Sequence, residues 1–212
     1  MVTQFDQRKR KRLLDKILGE ACAHLGFEHH SSNYFIRNRG TLQDVFFYQQ
    51  TRTNGEYYIT YGIDCPNLLL DFRASDVLFP SKRPRLMITP VAGRLENGRS
   101  YGCKYEEHIT SSSKKVANAL SNEAVLWWES FSTEIEVIEH YRNQEVRLSE
   151  PSDEIPPGGI VRWTVYGLSL HDSGNQDQAE IWLRRSLQAW LEKDKPTEQD
   201  KEWARLIESR IP

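Results

Sequence analysis

Apolar positions set the first element. Phe5, Leu13, Ile17 and Ala21, together with Leu14 and Leu18, recur at helical spacing, and the pattern predicts an amphipathic helix over residues 3–25. Thr3 stands where a cap belongs and Gly26 where a left-handed stop belongs. The period then changes from 3.6 to 2. Asn33–Arg39, Leu42–Gln50 and Tyr57–Ile63 are β-branched and aromatic runs separated by Gly40-Thr41 and by Arg52–Glu56. This pattern predicts an antiparallel meander, with Asn54-Gly55 as its clearest hairpin signal because both residues tolerate positive φ. Alternation places Tyr57, Ile59, Tyr61 and Ile63 on one face, toward the first helix, and gives the second strand bulky apolar groups on both faces. Coverage of the outer face by later helices is the simpler expectation, and an exposed aromatic surface is the alternative.

Beyond residue 64 the signal weakens. Pro66, Pro80 and Pro84 around Leu68–Leu70 predict an extended excursion with at most a short edge strand. Leu86–Thr89 reads as a fourth strand, and the loop from Gly93 through Gly102 as making another hairpin with Cys103–Tyr105. Helical period resumes from Ser112 to about Arg147, on Val116, Leu120, Trp127, Phe131, Ile135 and Ile138, with a break expected at Ser121-Asn122. Glu150–Gly159 is a linker by composition. The expectation is an α+β chain: an N-terminal helix on an antiparallel sheet of four or five strands (residues 1–110), then an all-helical C-terminal part (residues 111–212), packed together as one body.

Composition narrows the class. Hydrophobic residues are 38% of 212, but 6 Trp, 9 Tyr and 8 Phe supply large buried areas per residue, which argues against disorder. Net charge is -2, which disfavours polyanion binding by the whole molecule. The charge is uneven: residues 1–110 carry 16 bases and 12 acids, residues 111–212 carry 12 bases and 18 acids. The basic run Arg8–Arg12 lies within the first helix, where consecutive positions spread around the circumference, so a solvated helix start is favoured over a nucleic-acid contact. No window is apolar enough to span a membrane, and the charged segment after Arg12 does not read as a secretory signal. Three widely spaced cysteines, Cys22, Cys65 and Cys103, suit a reducing compartment, and a cytoplasmic location is expected.

Candidate chemistry is sparse. His29-His30 with Cys22 or His24 lacks any zinc-site spacing, so no metal is expected. Glu136–His140 is like an inverted zincin motif with Glu in place of the first His, and reads better as an i,i+4 ion pair. Glu106-Glu107-His108 has no nucleophile or phosphate loop beside it. There is no P-loop, no GxSxG and no GxGxxG, and neither catalytic residues nor a cofactor is expected.

Two resemblances add to this reading. Gly26-Phe27, Tyr34-Phe35 with Arg37, Phe47 to Gln49, and Tyr61-Gly62-Ile63 make residues 14–63 similar to an uncharacterised bacterial family, a domain of unknown function. The likeness reaches residue 130 if Arg85–Ile88 and Trp127-Trp128 are counted. It brings no chemistry, but such domains are similar in style to toxin-immunity and other small bacterial partner proteins. Trp163, Gly167, Gly174 and Ala179, followed by Leu183 and Leu187, make residues 160–193 resemble one tetratricopeptide repeat. Tyr166 replaces the usual Leu, Ser186 the usual small Ala, and the closing Pro is missing; a plain helical hairpin is the alternative. As a repeat, it implies a groove-facing side carrying Val161, Thr164, Leu168 and His171.

The functional expectation is therefore a protein-binding module, such as an immunity protein that neutralises a toxin. Its partner would be another protein, basic enough to be steered by the acidic half. Val161, Thr164, Leu168, His171 and Trp128 are the candidate contact residues. Two alternatives are an enzyme with a site between sheet and helices, drawing on His29, His30, Arg37 or Glu106, and a nucleic-acid binder using Arg8–Arg12 with the aromatic strands.

Overall fold

The computed structural model describes residues 7–31, 33–51, 55–78, 91–143 and 159–211. They form two compact units: Met1–Ile63 with Val91–Ser132, and Asp64–Pro90 with Thr133–Pro212. The first is α+β and the second helical.

In the first unit α1 (Gln7–Cys22) buries Leu14, Leu18 and Cys22 and runs through one turn of 3-10 helix to Gly26, whose φ of +84° reverses the chain. The strands β1 (Glu28–Ser31), β2 (Tyr34–Arg39), β3 (Leu42–Gln50) and β4 (Glu56–Asp64) follow in order across an antiparallel sheet. The short β1 was not anticipated; its Glu-His-His-Ser sequence is mostly exposed and has no apolar alternation to reveal it. The edge beyond β4 is completed by two pieces, β5 (Val91–Arg94) and β6 (Tyr101–Gly102), both paired antiparallel to β4. The expected hairpin with Cys103–Tyr105 is thus corrected: the strand is Tyr101–Gly102, and it and β5 share β4 as their neighbour instead of pairing with each other. Between them Glu96 (φ +48°) and Asn97 (φ +55°) turn the chain in left-handed geometry. Leu86–Thr89, Asn54, Thr3, Phe5 and the linker up to residue 158 lie outside the described residues.

Alternation sorts the faces as expected. Phe35, Phe46, Tyr57, Ile59 and Ile63 are buried on the inner side, while Tyr34 and Phe47, paired in register, are half-buried on the other. Coverage of the inner face is shared: Tyr57 bonds Ser112 of α3 (Glu106–Ala119), so a second helix packs on the strand that was expected to meet α1. The α3 helix starts six residues earlier than its apolar period suggested. No break follows at Ser121-Asn122. One π turn, Leu120–Ala124, carries the helix on into α4 (Val125–Glu129), because the Tyr61 hydroxyl and the Glu96 N–H both bond Glu123 within the widened turn.

The second unit opens with an ion pair. Arg73 on α2 (Leu70–Ala74) forks both Asp64 carboxylate oxygens at 2.9 Å and also bonds the carbonyls of Cys65 and Leu68. Leu69 adopts φ +60°, and its N–H is held by Asp172 at 2.8 Å. The rest is α5 (Glu134–Tyr141), α6 (Gly159–Asp172), α7 (Gln176–Leu191) and α8 (Glu198–Glu208). Thr133 and Thr197 close capping boxes at the starts of α5 and α8. Gly167 lets α6 and α7 approach: a Cβ there would lie 3.0 Å from Leu183 Cδ2 and 3.1 Å from Trp182 Cβ. No described helix is long and apolar enough to cross a membrane.

Candidate interaction surface on the helical hairpin

The α6–α7 pair carries an aromatic interior. Trp182 meets Trp163 and Tyr166 edge-on at 6.1 and 5.1 Å, and Trp190 stacks on Trp203 of α8, which in turn stacks on Phe72 of α2. Outside this interior runs a groove of about 510 Å³ lined by Trp163, Ile181, Arg184, Arg185, Gln188, Ala189 and Glu192. Positions 181, 184, 185, 188 and 192 fall at helical spacing on one face of α7. Ile181 is 57% exposed at the N-terminal end of this otherwise polar stripe. Arg185 lies 4.8 Å above the Trp163 ring and covers it. The Trp163 indole Nε1 is buried and has no acceptor among the described residues. A buried donor left unpaired costs about 1–3 kcal/mol, which an incoming carbonyl would recover.

The residues expected to contact a partner are distributed differently. Val161 is exposed and His171 half-buried beside Asp172. Thr164 and Leu168 are fully buried. The Thr164 hydroxyl receives the Trp190 Nε1 hydrogen bond at 3.0 Å, so α7 closes the side of α6 that the repeat-like spacing left open. Trp128 is also internal: its Nε1 donates to Gly62 O at 2.6 Å, and its ring meets Phe27 and Tyr61. None of these three has surface for a partner to touch. The α7 stripe was missed because one Ile among Arg, Gln and Glu reads as solvated helix, and no sequence rule marks the Trp beneath it.

The groups considered for catalysis go separate ways. Arg37 pairs with the buried Asp44, which Arg39 also engages at 2.7–2.9 Å while capping the carbonyls of Trp128 and Phe131. His29 lies 3.7 Å from Asp15, a carboxylate already bonded by Lys11 and Tyr48, along an open groove of about 630 Å³ on α1. Burial and the hydrogen bond to Asp15 push the Tyr48 phenol well above its ordinary value, so it remains protonated and is no base. His30 and Glu106 are exposed. Among the described residues no group of three His, Cys, Asp or Glu is arranged to hold a metal ion. The cysteines are all buried and free; burial pushes Cys22 up to about 12 and Cys103 up to about 11, and raises Cys65 as well. As thiols they are neither nucleophiles nor ready metal ligands. No family model, no curated protein and no solved structure matches this chain.

Proposed function

We propose that the protein works by binding another protein, and that the α7 groove over Trp163 is its anchor point. The observation that carries this reading is the combination of an unpaired buried indole donor with an exposed isoleucine at its rim. Trp and Arg around a desolvated centre are the residue types that dominate binding energy at protein interfaces. The partner takes an aliphatic side chain against Ile181 and, displacing the Arg185 guanidinium that covers the fully buried Trp163, brings an acceptor to the groove floor. Val161 and His171, the two originally expected contacts that keep exposed surface, extend the same reading along α6.

Charge points to the kind of partner. The second unit holds 14 bases and 19 acids, the first 14 bases and 11 acids. An acidic unit steers a basic partner and raises its association rate. A toxin whose target is nucleic acid is basic for its own reasons, so an immunity protein that neutralises one is the finer form of the proposal. The test is affinity capture from native cells with the wild type and with Ile181→Glu, a change at an exposed position that leaves the fold intact. The expected result is a stoichiometric basic partner whose affinity falls at least about tenfold with the variant, as loss of a central hot spot does. Recovery of no stoichiometric partner, or of one indifferent to Ile181→Glu, overturns the proposal.

A further inference from the structure

We infer that the first unit carries an anion site for the phosphoryl group of a small molecule, in the pocket between β6 and α3. The pocket holds about 210 Å³ and is lined by Arg99, Ser100, Tyr101, Gly102, His108, Ser111, Ser112 and Lys115. Three of these are basic and none is acidic. The helix supplies His108, Ser111, Ser112 and Lys115 at i, i+3, i+4 and i+7, so one face of α3 presents two basic groups and two hydroxyls to the same space. Arg99 comes from the opposite wall.

The walls are built rather than loosely apposed. Ser112 donates to Gly102 O at 2.9 Å and meets the Tyr57 hydroxyl at 3.0 Å, which fixes α3 against the sheet. A Cβ on Gly102 would lie 3.6 Å from His108 Cβ, so a bare backbone there keeps the His108 side of the pocket open. The loop bearing Arg99 is held from two sides: Glu123 of the π turn accepts from the Glu96 N–H at 3.0 Å, and the Tyr101 hydroxyl donates to Glu96 at 2.7 Å. Glu96 also touches the Arg99 guanidinium at 3.3–3.4 Å, distances that leave most of its donors for a ligand. Lys115 pairs with no carboxylate among the described residues. Glu106 and Glu107, the acids on the first turn of α3, are exposed and do not line the pocket.

Size sets the ligand class. Drug-sized ligands need about 300–1,000 Å³, so this pocket admits a phosphoryl group and a few atoms, with the rest of the molecule outside. Arg and Lys converging with the Ser111 hydroxyl match a dianion with three acceptor oxygens, the Ser112 proton being already held by Gly102 O. This site is independent of the α7 groove, and its failure would leave the binding proposal untouched. The test is titration calorimetry of the full chain with inorganic phosphate and, separately, glycerol phosphate, against sodium chloride at matched ionic strength. We expect saturable phosphate binding with a Kd on the order of 1 mM, weakened at least tenfold by Lys115→Glu and unchanged by Lys114→Glu on the neighbouring face. Glycerol phosphate binding as well as phosphate identifies an ester site; phosphate alone identifies a free-anion site, and either supports the inference. No saturable binding of either anion, or equal loss in the two lysine variants, overturns it.

Discussion

In the sheet unit the decisive polar contacts bridge distant parts of the chain. Arg39 reaches the Phe131 carbonyl 92 positions away, Trp128 the Gly62 carbonyl 66 away, and Tyr61 the Glu123 carboxylate 62 away. Along α6, α7 and α8 the ties are short. Trp190 bonds Thr164 across 26 positions, Lys193 bonds Asp200 across seven, and both ends of the hairpin turn are closed by neighbouring residues. The two regions also solve burial differently. The sheet unit encloses an aspartate, Asp44, and satisfies it with two arginines, whereas the hairpin uses a glycine at the crossing and stacks tryptophans around it. A buried charge is an all-or-nothing device, because removing one partner strands the others; an aromatic stack loses strength gradually.

Trp128→Ala should be the most damaging single change, costing about 3–5 kcal/mol, because it opens a large cavity and also strands the Gly62 carbonyl. Thermal unfolding measures it, and a loss below about 1 kcal/mol would show that the core re-forms around the gap. Asp44→Ala should come close behind, at about 3–5 kcal/mol, since Arg37 and Arg39 then face each other without a counter-charge. The comparison breaks if the isosteric Asp44→Asn is as stable as the wild type in urea. In the hairpin, Gly167→Val should cost about 1–3 kcal/mol by overpacking against the Trp182 Cβ and Leu183, of which only the Leu183 methyl can give way.

Thr197→Ala should cost about 1 kcal/mol through the lost α8 cap. Its effect is linked to pH. Burial raises the Asp200 carboxyl, but hydrogen bonds from Lys193 and Thr197 outweigh it and hold the group below the ordinary carboxylate value. A depressed folded pKa means the stabilisation is complete above the unfolded value near 4 and is lost as pH falls through the lower folded value. Urea midpoints at pH 7 and at pH 3 should therefore differ less for Thr197→Ala than for the wild type. Last, thiol labelling without denaturant should be almost undetectable. Under mild urea Cys22 and Cys103 report opening of the sheet unit and Cys65 opening of the helical one. Trp128→Ala should accelerate the first pair.

What could be read from sequence follows the same division. The helical C-terminal part expected from the sequence holds α6, α7 and α8, because helix periodicity and a glycine stop such as Gly174 are local properties. The excursion at 64–84, of which 64–78 is described, read only as proline-rich and extended. In fact it holds a short helix whose anchors are Asp172 and Glu202, more than a hundred positions away. The pairing of β5 and β6 with one strand was equally out of reach, since it depends on Glu123 gripping the loop between them from the π turn.

The candidate sites show the limit most directly. Hydrophobic period, turn residues and charge balance by themselves determined an N-terminal helix, an antiparallel sheet and a helical C-terminal part, because each is written within a few residues of chain. Only the tertiary structure decided which side of α6 is closed, that Trp163 has a groove above it, and that Arg99, His108 and Lys115 share a pocket. Those depend on which faces meet, and a face is assigned by the burial of everything around it, not by the residues that form it.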